Sequence, residues 1–138
     1  MDNDDGLKKV YDPNAERILR TGSIENDDVT IYTVPAAHNF YLEEVSLSVQ
    51  LGQNPGLGFT YVYWLRGVDL YYVRDLCQIW IYVDDQNGNE MAGCMKSDHA
   101  IFPSGLLIPA GDMIVVVSNN AGLIAEGNIS GFTVSDYV

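Results

Sequence analysis

Short apolar runs closed by Pro and Gly corners fill the last third of this chain and leave it few folds to choose from. Phe102-Pro-Ser-Gly-Leu-Leu-Ile-Pro-Ala-Gly111 leads into Met113–Asn119, Ala121-Gly122 breaks the pattern, and Ile129–Val134 resumes it. Upstream, Thr30-Ile-Tyr-Thr-Val-Pro-Ala36 followed by Phe40-Tyr-Leu42 has the same form of strand, Pro-Ala corner and strand. Proline has no amide to donate and glycine tolerates positive φ, so each corner ends one strand and redirects the chain. The rhythm is that of a small antiparallel β protein.

Alternation with a period of two supports this. Val45, Leu47, Val49 and Leu51 interleave with Glu44, Ser46, Ser48 and Gln50, giving one buried and one wet face. Gln53-Asn-Pro-Gly56 breaks that run, Phe59–Arg66 is aromatic and β-branched, and Gly67-Val-Asp69 turns it. Leu76–Asp84 places Cys77, Ile79, Ile81 and Val83 on one face and Gln78, Trp80 and Tyr82 on the other. Asp85-Gln-Asn-Gly-Asn89 predicts a type I′ hairpin returning through Glu90–Met95. Ile101-Phe102, Leu106–Ile108, Met113–Asn119 and Asn128–Val134 complete the strands; both faces of Met113–Val117 are apolar, as in a strand covered on each side. The best helix candidate is Asn14–Leu19, behind Asp12-Pro13. The expectation is an all-β chain, a single antiparallel β-sandwich of about eight strands over residues 28–138, with jelly-roll topology preferred to immunoglobulin-like. A partly extended N-terminal arm is expected over residues 1–27.

A chain of 138 residues can bury a sufficient core without a metal or disulfide. No apolar run reaches the ~20 residues of a membrane helix. Met1-Asp-Asn-Asp-Asp-Gly6 lacks the order of a signal peptide, so residence in the compartment of synthesis is expected. The net charge of −12 disfavours phosphate backbones, and nucleic-acid binding with them. Four of the seven bases, Lys8, Lys9, Arg17 and Arg20, lie in the first 20 residues; the rest holds three bases against 14 acids, which is −11 of the −12. The arm is therefore the part suited to dock on an acidic partner. If Asn87-Gly88 centres a hairpin, Cys77 lies across from residue 98 and Cys94 across from residue 81, so reduced thiols are expected.

Chemistry-bearing constellations are sparse. His38 and His99 are isolated, short of a metal-ligand cluster. Ser97, Asp98 and His99 alternate between faces in a strand, and no Gly-x-Ser-x-Gly elbow exists. Asp85, Asn87 and Asn89 imitate the start of a calcium loop, but its Gly is misplaced and Lys96 stands where a bidentate Glu belongs. No catalytic, cofactor or metal site is expected, and no enzyme. The aromatic belt of Tyr61, Tyr63, Trp64, Tyr71, Tyr72, Trp80 and Tyr82 exceeds what one core face can hide. Trp64, Tyr71, Tyr72, Trp80 and Tyr82 are the candidate subunit contacts, or alternatively a platform for a surface glycan.

The Pro-Ala corners, with Ser46-Leu-Ser48, Val115–Asn119, Ala121-Gly122 and Gly127-Asn-Ile-Ser-Gly-Phe132, resemble small jelly-roll virion proteins of tailed bacteriophages and related viruses. The resemblance covers about residues 28–134. It implies a non-enzymatic head decoration, head-fibre or spike subunit, commonly trimeric, that assembles in the host cytoplasm and attaches to a capsid or other virion protein. Lys8, Lys9, Arg17 and Arg20 would then meet acidic groups on that partner. Where the group often has Pro-Ala-Gly at the first corner, this chain has Pro35-Ala-Ala37-His38, which implies that left-handed backbone is not needed there. The alternative is a carbohydrate-binding or receptor-binding β-sandwich module.

Overall fold

The period-two pattern becomes eight strands: β1 (Glu16–Glu25), β2 (Asp28–Thr33), β3 (His38–Leu51), β4 (Gly56–Arg66), β5 (Tyr71–Val83), β6 (Met95–Ile108), β7 (Met113–Ser118) and β8 (Leu123–Ser135). This computed structural model describes residues 15–51, 56–83, 95–119 and 122–135, the side chains at 51, 56, 57, 80–83, 95 and 96 excepted. The strands form two antiparallel sheets, in the orders β1-β8-β3-β6 and β2-β7-β4-β5. Each sheet interleaves early and late strands, as two nested Greek keys do; this is the expected jelly roll. Residues on the facing sides meet in one core, with Phe40, Leu42, Val45, Leu47 and Val49 of β3 packing toward Val62 of β4 and Ile114 and Val116 of β7.

Residues 16–25 depart from expectation. They are neither helix nor arm, but an edge strand paired with β8 from Glu16↔Thr133 to Glu25↔Ile124. Tertiary pairing and the burial of Ile18 (3% exposed) outweigh the local Asp-Pro start signal. The sandwich therefore begins earlier than residue 28, at Glu16. The weak apolar signal of β1 has a cause: Gly22 faces Gly127 of β8, and Ile31 fills the core beside both glycines.

The hairpin expected at Asp85–Asn89 lies outside the described residues, but the strands on either side of it have other partners. Among the described residues β5 pairs with β4 and β6 with β3, so the two strands lie in different sheets. Alternation specifies faces, not partners. Residues 84–94, with Cys94 and the calcium-loop mimic, lie outside the described residues. Cys77 is buried and its thiol is free.

The first Pro-Ala corner differs from expectation too. Ala37 takes φ 62°, the left-handed conformation that Gly111 takes at φ 88° in the second corner. The two corners are bonded to each other: Val34 N–H donates to the Asp112 carbonyl at 2.9 Å, and Gly111 N–H to the Val34 carbonyl at 2.8 Å. The sequence echo is thus a spatial pair extending the β2–β7 ladder. In β6 the register jumps from Leu106 opposite Leu42 to Ile101 opposite Glu44, so Phe102–Gly105 bulge from an edge strand where Pro103 is tolerated.

Candidate interaction surfaces

One end of the sandwich gathers the β2–β3 corner, the β4–β5 turn and the β6–β7 corner. Asp112, 6% exposed, organises it. Its Oδ2 accepts the Trp64 indole N–H at 2.8 Å and its Oδ1 accepts the Gly67 N–H at 3.0 Å. Gly67 rests on the backbone of Gly111 so closely that a Cβ there would collide with the Gly111 carbonyl. Asp112 escaped the sequence reading; its signal is an acidic residue directly after a Pro-Ala-Gly corner, where side-chain acceptors meet turn amides.

This clasp holds out an apolar tip. Val68 is 88% exposed, Leu70 64%, Tyr71 59% and Tyr72 45%. Arg66 clamps the turn, donating to both oxygens of Asp69 at 3.0 and 2.7 Å, while its guanidinium lies 4.8 Å from the Tyr71 ring centroid. The bidentate bond lowers the Asp69 pKa. Asp69 Oδ1 also accepts the Tyr71 N–H at 3.2 Å. Leu70 sits at φ 57°, a strained geometry for a residue with a Cβ. Four apolar side chains are therefore presented on a pre-ordered turn rather than a loose loop.

From the tip an aromatic file runs down the outer face of β4. Ring centroids are 5.7 Å apart from Tyr72 to Tyr63, 5.5 Å from Tyr63 to Tyr61 and 5.7 Å from Tyr61 to Phe59. Register sets Val115 of β7 between Thr30 and Tyr63, and it is only 4% exposed, so β7 is covered on both faces as expected. Burial first, then bonding to Asp75, raises the Tyr72 hydroxyl to a pKa of about 12.

The expected interface residues separate on this scaffold. Tyr71 and Tyr72 stand exposed at the tip. Trp64 is half-buried against the core and tied to Asp112, which removes its indole N–H from solvent. Trp80 and Tyr82 pair through their backbones with Phe59 and Leu57, and their side chains lie outside the described residues. Arg17 and Arg20 are exposed on β1. Arg17 pairs with Glu43 at 2.9 Å and lies 5.0 Å over Phe132; Arg20 lies 5.4 Å over Tyr32. Lys8 and Lys9 lie outside the described residues. Among the described residues no His, Cys, Asp and Glu group could hold a metal, and no helix is long and apolar enough to cross a membrane.

No protein-family profile and no curated protein matches the chain. Solved structures do. The chain is similar to the capsid of Helicobacter pylori bacteriophage KHP30, at 13% identity and TM-score 0.45, covering 88% of this chain and 98% of that one. It is similar to the Eiger TNF of S. frugiperda at 9% identity and TM-score 0.48, over 91% and 96%. A carbohydrate-binding module from the family 9 glycoside hydrolase Cel9A of Ruminococcus flavefaciens FD-1 follows at 12% identity and TM-score 0.39, over 81% and 98%. Proteins of three unlike roles share this likeness, which is one of shape.

Proposed function

We propose that this chain is a non-enzymatic structural subunit of a virion, a capsid decoration, head-fibre or spike protein. Its copies meet through the β4–β5 tip, and its N-terminal segment attaches it to another virion protein. The observation that carries this reading is that β1 starts at the end of the sandwich that carries the tip. Glu16 pairs with Thr133 and His38 with Ser135, so residues 1–14, with Lys8 and Lys9, lead into β1 at the end that carries the tip. Arg17 and Arg20 follow on β1. Glu25, Asp27 and Asp28 stand exposed at the opposite end. Such a molecule has an apolar mounting end of mixed charge and an acidic outer end that keeps copies soluble. The resemblance of its Pro-Ala corners to jelly-roll virion proteins supports the same role. Three copies around one axis, tips inward, is the proposed assembly.

Light scattering on the full chain, and co-sedimentation with particles of the virus whose genome carries the gene, test this. The wild-type protein is expected as a trimer that sediments with particles. The Tyr71→Ser/Tyr72→Ser double variant is expected as a folded monomer, and a chain lacking residues 1–14 as a trimer left in the supernatant. A monomeric wild type absent from purified particles overturns the reading.

A further inference from the structure

The outer face of the β1-β8-β3-β6 sheet carries, besides the two arginines of β1, side chains that the reading above does not use. Register aligns Thr21, Asn128 and Ser46 across β1, β8 and β3, with Ser130 one rung above. These four side chains are short, and longer ones stand around them. Leu19, 63% exposed, rises on the β1 side, and Glu44 stands on β3 beside Ser130. The outcome is an open groove of about 400 Å³ lined by these residues with Arg17 and Arg20.

Its chemistry is selective. The floor carries three hydroxyls and one carboxamide, groups that both donate and accept. Thr21 Oγ1 donates to Asn128 Oδ1 at 2.5 Å, which fixes the carboxamide and leaves its N–H groups to donate to a ligand. The two guanidiniums are balanced by Glu43 and Glu44, and both are engaged: Arg17 with Glu43 at 2.9 Å, Arg20 with the Leu19 carbonyl at 3.0 Å and the Tyr32 ring. In a chain of net charge −12, this groove is locally neutral. It therefore complements a neutral ligand dense in hydroxyls, with a C–H face to lie against Leu19. The Glu44 carboxylate accepts from hydroxyls, and the floor pairs with the remainder.

We propose that this groove binds a neutral hexose unit of a glycan, on the sheet opposite the aromatic file. The proposal does not depend on the virion role.

Titration of the ¹⁵N-labelled full chain with neutral tetrasaccharides of glucose, galactose and mannose, beside an oligo-glutamate peptide, tests it. At least one neutral sugar at millimolar concentration is expected to shift the amides of Leu19–Thr21, Glu44–Ser46 and Asn128–Ser130, leaving Tyr71 and Tyr72 unmoved. Glu44→Gln should weaken that binding by about tenfold. Ser130→Trp should abolish it by filling the groove while the amide spectrum stays dispersed, and Tyr71→Ser should leave it unchanged. Three results overturn the proposal: no neutral sugar shifts any amide, the shifts map to the tip, or only the acidic peptide moves the groove residues.

Discussion

Asp112 and Trp64, 48 residues apart, are joined by a 2.8 Å hydrogen bond from the indole N–H to a carboxylate that is nearly sealed from water. The same carboxylate takes the Gly67 N–H, so a single side chain ties the β6–β7 corner to the start of the apolar tip. Asp112→Ala should cost about 3 kcal/mol, because two donors lose a charged acceptor at once. Asp112→Asn keeps one acceptor oxygen and should cost about half as much. Urea midpoints at constant m-value measure both, and an Ala variant as stable as wild type would contradict the clasp.

Gly67 and Gly111 touch, yet they should respond differently to a methyl group. A Cβ on Gly67 meets the Gly111 carbonyl, which as backbone has little room to move. Gly67→Ala should lose about 2 kcal/mol or more. A Cβ on Gly111 meets nothing within 4 Å, so only its φ of 88° is strained and Gly111→Ala should lose about 1 kcal/mol. Thermal melts of the two variants give the order directly.

Ala37 offers the reverse experiment. It holds φ 62° with a Cβ that disfavours that region. Ala37→Gly relieves the strain but gives the unfolded chain more freedom, which offsets part of the gain. The net expectation is stabilisation of about 0.5 kcal/mol, readable as a higher urea midpoint.

Burial, then the carboxylate of Asp98, pushes the Cys77 thiol up to a pKa of about 11 from 9.0. The native state therefore holds its proton more tightly than the unfolded chain does. That contribution is complete below pH 9 and is lost as pH rises from about 9 to about 11. Unfolding free energy should fall across this window, and Cys77→Ala should flatten the fall. At pH 8 the native thiol should react with a maleimide far more slowly than the urea-unfolded chain.

The parts of this fold that were legible are those where side chains alternate cleanly. β3 shows Val45, Leu47 and Val49 inward against Glu44, Ser46 and Ser48, and both its existence and its faces follow from that pattern. β1 was hidden, because Gly22 occupies one of its core-facing positions where Ile31 of the other sheet supplies the volume. The partners of β5 and β6 were hidden for another reason: which strand sits beside which depends on long-range pairing that local sequence does not encode. Tyr71 and Tyr72 were legible as surplus aromatics, whereas Trp64 looked the same in sequence and proved to be half-buried by its bond to Asp112. Ser46 read as a wet-face residue, Asn128 and Ser130 as members of the last strand, and Thr21 as part of the arm. Only the register, which spans more than a hundred positions between Thr21 and Asn128, makes them neighbours.

The place of β8 between β1 and β3 has a consequence for biosynthesis. As the chain leaves the ribosome, β1 and β3 emerge early but have no strand between them until residues 123–135 follow. Their facing edges stay open until β8 follows, so this sheet closes late and slowly, as non-local pairings do. A chain interrupted before β8 exposes two unpaired edges and lacks the support for its first strand. The arrival of β8 thereby sets the moment at which β1 gains its sheet partner.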